Sequence, residues 1–112
     1  MGKFYDGDDN YQYFFTFYDR VEKLIMISSD REITEEDLMD CSSFELSAVR
    51  NGIYAVHGYI FQTQEWNGYF SDFDWYRPNP DFKQNQISGT ESKNASFIRG
   101  YEEEIYGGIY SF

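Results

Sequence analysis

The chain has 112 residues, room for one modest core, and its 20 acidic against 9 basic side chains leave a net charge of −11. That charge repels phosphate backbones and anionic lipid heads, which argues against a nucleic-acid partner. The single cysteine, Cys41, excludes an internal disulfide and a cysteine zinc site, and no run approaches the ~20 apolar residues of a membrane span.

Residues 4–10 are polar and read as a loop or frayed end, and no signal peptide opens the chain. Asp6, Asp8 and Asn10 fall at the first, third and fifth positions of a calcium loop. Tyr11 stands where that loop needs glycine and Phe17 where it needs its bidentate glutamate, so a solvated acidic loop is expected, with no metal or other cofactor. From Tyr11 to Tyr18, aromatic residues alternate with the period of a strand. Asp19 to Glu22 forms a polar break, and Lys23 to Ile27 is a second short apolar run. Together they predict a β-hairpin, which must pack on the rest of the chain because an isolated hairpin is marginal in water.

The remainder carries helix punctuation. Thr34 and Asp37 form a capping-box pattern that opens a short helix near 35–40. Ser42 and Glu45 form another, opening a helix over 43–57 in which Leu46, Val49, Ile53, Val56 and Ile60 make one apolar face. Gly58 stands where a left-handed cap would end it. Thr63 opens a third short helix holding Trp66, Tyr69 and Phe70, and the prolines of Trp75-Tyr76-Arg77-Pro78-Asn79-Pro80 impose an extended or turning segment. Ser88 or Thr90 starts a last helix to about Tyr106, with Phe97, Ile98, Tyr101 and Ile105 as its apolar stripe and Gly107 as its end.

The run Glu45-Leu46-Ser-Ala-Val-Arg50-Asn51-Gly-Ile53-Tyr54-Ala55-Val56-His57-Gly58-Tyr59-Ile-Phe61 resembles the signature of the YARHG domain family. Ile33 to Leu38, Tyr69-Phe70, Trp75-Tyr76, Pro78, Asn94, Ile98 and Glu102 extend the likeness over roughly residues 31–105. The chain departs from the family at Gly52, where the family carries Glu, and at Val56, where it carries Arg, so the charged contact such a pair would make is missing. The resemblance implies an extracellular or cell-envelope location and no established activity.

His57 is the only histidine, hence the only imidazole base, yet Cys41, Ser42 and Ser43 lie in no nucleophile signature. Glu102, Glu103 and Glu104 read as the wet face of the last helix. Asn94-Ala-Ser96 matches a glycosylation sequon. Trp66, Trp75 and Tyr76 could fill the core or stack on sugar rings. Arg50, Tyr54 and His57 share one stripe, from which their donors should meet the carbonyls of the Trp75–Pro78 segment.

The sequence thus predicts an α+β chain: a hairpin segment over 1–30, a helical domain of three to four helices over 31–106 and a tail over 107–112. The expected function is a non-catalytic binding or accessory module for cell-wall glycan or a protein, with Arg50, Tyr54, His57, Trp66, Trp75 and Tyr76 as binding candidates. A small hydrolase using His57 and a purely architectural spacer are the alternatives.

Overall fold

The computed structural model describes residues 19–112. Among these residues there are five α-helices, one 3-10 turn and no strand: α1 (Arg20–Ser28), α2 (Glu35–Leu38), α3 (Ser43–Ala55), α4 (Gln64–Ser71), the turn Gln84–Gln86 and α5 (Gly89–Tyr106). Helix α3 is central, packed against α1 and α5.

The α+β expectation is corrected here. Tyr11 to Tyr18 lies outside the described residues, but Lys23 to Ile27, the proposed second strand, is the middle of α1. The stretch expected to be a hairpin loop is a helix start: the Asp19 side chain accepts the Glu22 N–H at 2.9 Å. Val21, Leu24, Ile25 and Ser28 then recur at helical spacing and are all buried, while Met26 faces outward. A five-residue apolar run fits strand and helix alike, and the cap decides for helix.

The capping boxes predicted at Thr34/Asp37 and Ser42/Glu45 are formed, and of the two possible starts of the last helix it is Ser88 that caps it, in a box with Glu91. Thr63 stands at the N-cap of α4 but its side chain makes no capping bond. In α3, Leu46, Val49 and Ile53 are fully buried, whereas Val56 and Ile60 lie past the helix end and are exposed.

Two glycines set how the elements approach. A Cβ on Gly52 would lie 2.2 Å from Cδ1 of Ile25, so its absence lets α1 lie close against α3. Gly58 ends α3 with φ of 89°; its N–H donates to the Ala55 carbonyl and the Tyr59 N–H donates to the Tyr54 carbonyl, a Schellman closure. The Asn79 N–H donates to the Gly58 carbonyl at 2.8 Å, joining this corner to the proline segment. A Cβ on Gly58 would meet Asn79 Cβ at 2.6 Å and the Arg77 carbonyl oxygen at 2.7 Å. Gly58→Ala therefore combines left-handed strain with a clash against backbone, and should cost about 2–4 kcal/mol. Thermal unfolding should fall by roughly 10 °C or more; a variant melting within a degree or two of the parent would contradict this packing.

The last helix buries a different face from the one its apolar residues suggest. Glu91, Asn94, Ala95, Ile98 and Glu102 point inward, while Phe97 and Ile105 are exposed. Polar side chains occupy this seam because each finds a partner there. Asn94 accepts the Ile33 N–H and donates to the carbonyls of Ser28 and Arg31, tying the α1–α2 loop to α5. At 1% exposure it offers no sequon site in the folded chain.

The tail is docked. The Tyr110 N–H donates to Ser47 Oγ at 3.1 Å, and the rings of Tyr110 and Phe112 pack edge-on against Phe44.

Candidate functional site

Helices α3 and α5 meet along a charged seam. Glu102, expected on the wet face, is fully buried. Its Oε1 accepts Arg50 Nε at 2.6 Å, and its Oε2 accepts Arg50 Nη2 at 3.4 Å and the Ser47 hydroxyl. Burial of a carboxylate is tolerable only with such pairing. Toward the C-terminal end of α3, His57 Nε2 lies 3.0 Å from both oxygens of Glu91, which also accepts the Ser88 N–H in its capping box.

Burial pushes the Glu91 carboxyl up, but the Ser88 and His57 hydrogen bonds outweigh it and hold the group below its ordinary value. Asp37 is held far lower, chiefly by its two-pronged pair with Arg31 at 2.9 and 3.0 Å. Both carboxyls are depressed in the folded state, so the stability they lend is complete above the unfolded carboxylate range, near pH 4–4.5. It drains away as pH falls through the lower folded values. Thermal melts should thus drop between about pH 5 and pH 2, and Asp37→Asn with Glu91→Gln should flatten that slope. An unchanged slope would remove these two groups from the account.

Arg50 and His57 therefore reach across to α5, and not to the proline segment as their shared stripe suggests. A helical wheel places them correctly beside the apolar face but does not say which element covers that face. The proline segment supplies its own donor instead: the Tyr76 hydroxyl donates to the Tyr59 carbonyl, just past α3, at 2.7 Å. Tyr54 is half-buried, with its ring edge-on to Tyr59.

The six candidates do not form one site. Arg50 and Trp66 line a groove of about 310 Å³ with Asn51, Tyr59, Gln62 and Tyr110. Arg50 and Tyr54 line a second of about 300 Å³ with Ser96 and Arg99. Arg50 is thus common to both, and Nη1 of its guanidinium has no hydrogen-bond partner among the described residues. Trp66 and Tyr76 are mostly core, at 8% and 6% exposure. Trp75 stands apart, its indole N–H donating to Glu22 on α1 at 3.1 Å. Glu102, Glu91, Gln62, Ser96 and Arg99 carry no local motif that marks them as site residues. Only the spacing of Glu91, Asn94, Ile98 and Glu102, three or four residues apart, assigns part of this set to one face.

Cys41, Ser42 and Ser43 lie at the N-terminal end of α3 and His57 just past its C-terminal end, a helix length of about 20 Å away. Burial, with Glu45 nearby, pushes the Cys41 thiol up to about 11. Among the described residues no three His, Cys, Asp or Glu side chains gather as a metal site would need, and no helix is long and apolar enough to cross a membrane. The calcium-like Asp6–Asn10 segment lies outside those residues.

Fold and seam together define, among the described residues, a small helical domain in which the central helix and the turn after it are tied to the last helix by the Arg50–Glu102 ion pair and the His57–Glu91 hydrogen bond. The model of the YARHG domain family matches residues 21–103, and the chain belongs to that family. The match takes in nearly all of α1. No match was found among curated proteins or among solved structures.

Proposed function

We propose that this YARHG domain is a non-catalytic binding module, acting outside the cell, whose ligand lies across Arg50. One observation carries the reading: Arg50 lines two grooves at once, with aromatic rings and amides on one side and Tyr54, Ser96 and Arg99 on the other. Rings such as Tyr59 and Tyr110 offer faces on which a sugar can stack. Two guanidinium groups beside hydroxyls suit a carboxylate. A carboxylate-bearing cell-wall glycan or an acidic protein segment has both features. The separation of His57 from Cys41, Ser42 and Ser43 speaks against a hydrolase built on that imidazole, because a base must reach its nucleophile within hydrogen-bonding distance.

Titration with soluble cell-wall glycan fragments, followed by backbone amide NMR, tests this. Shifts should concentrate at Tyr54, Gln62, Ser96 and Arg99. Arg99 is half exposed and, among the described residues, paired only with Glu103, so Arg99→Glu should fold normally and weaken binding by roughly fivefold or more. Shifts spread evenly over the surface, or an Arg99→Glu variant that binds like the parent, would defeat the proposal.

A further inference from the structure

Past the C-terminal end of α4, the chain builds a different groove. Glu22, Asp72, Phe73, Asp74 and Trp75 line a cleft of about 560 Å³. Phe73 and Trp75 stack with centroids 5.2 Å apart and planes 13° from parallel. Both rings are half-buried, with inner sides on Phe70. Trp75 is held in place by the bond from its indole N–H to Oε2 of Glu22. Asp72 and Asp74 are exposed on the rim. The cleft also borders the C-terminus of α4, whose last turn holds no basic residue, so its carbonyls leave the negative end of that helix uncompensated. The nearest guanidinium, Arg77, is turned to the backbone carbonyls of Asp74 and Tyr76 and not to the carboxylates.

We propose that this cleft receives a lysine or arginine side chain from a basic segment of a partner protein. Stacked rings present a negative face to a cation, the three carboxylates supply opposite charge, and the aliphatic stem of the incoming side chain covers the apolar floor. The net charge of −11 draws a basic surface toward the domain before contact. Charge complementarity selects a basic partner, and a cleft open to solvent suits a protruding side chain better than an enclosed small cation.

The test is titration of the full chain with a hexalysine peptide, read by the indole N–H resonance of Trp75. The peptide should shift that resonance. Asp72→Asn with Asp74→Asn, both exposed and safe for folding, should weaken binding roughly three- to tenfold. Glu103→Gln with Glu104→Gln removes equal charge elsewhere and should weaken it less than about twofold. Equal losses in both pairs would mean diffuse attraction to an acidic surface and would overturn the proposal. So would an unmoved Trp75 resonance, or tighter binding of a glucosamine oligomer than of the peptide.

Discussion

Arg50→Ala is expected to be among the most damaging single changes in the domain, costing about 3–5 kcal/mol. The reason is the group it strands. Glu102 is fully buried and keeps only the Ser47 hydroxyl once the guanidinium is gone. A lone carboxylate in that seam is left buried without its counterion, which is costly. Against a total stability of about 5–15 kcal/mol, the loss should be plain in urea unfolding at pH 7. Two companions separate charge from packing. Glu102→Gln should cost less, because an amide is cheaper to bury than an unpaired ion. Arg50→Met with Glu102→Leu should come near the parent, since replacing both partners of a buried pair by apolar groups is often close to neutral. If Arg50→Ala unfolds with the parent, the pair contributes nothing and the seam is held by its apolar contacts alone.

Asn94→Ala should be comparably costly, by about 3–5 kcal/mol. One side chain serves three backbone groups: it accepts from Ile33 and donates to Ser28 and Arg31. Alanine strands all three, and each buried orphan costs about 1–3 kcal/mol, with some recovered by water reaching the loop. The effect should also be local. Amide hydrogen exchange at Ile33 should accelerate well beyond that of the α3 amides, because the α1–α2 loop loses its tie to α5. Uniform acceleration through the whole chain would mean that the loop and the helices open together and that Asn94 is no separate anchor.

The parts of the fold legible in the sequence are those written in local chemistry. Thr34, Ser42 and Ser88 each stand three residues before an acidic partner, and all three capping boxes form. Gly58 carries the positive φ that its place after α3 demands. The differences share one cause, which is that a short stretch does not record its neighbours. Lys23 to Ile27 is too short a run for its period to distinguish strand from helix, and the deciding residue is the cap at Asp19. Glu102 sits within three consecutive glutamates, the mark of a wet face, yet Arg50, fifty-two residues earlier, neutralises it. At the candidate site, Arg50 and Tyr54 are identifiable from their stripe. Ser96 and Arg99 are not, because they become their neighbours only when α5 folds back along α3.

The contact between Gly52 and Ile25 has a consequence for how this sequence can drift. Their sizes are exchangeable quantities: the space one gives up is the space the other fills. A methyl group at position 52 would need a shorter residue at position 25, so Gly52→Ala alone should be penalised and partly rescued by Ile25→Ala. The two positions should therefore change in concert across descendants of this chain. A large residue at 52, such as the glutamate that the family signature carries, would require the first helix to stand farther from the third. The spacing between those helices is, in this sense, inherited through one missing side chain.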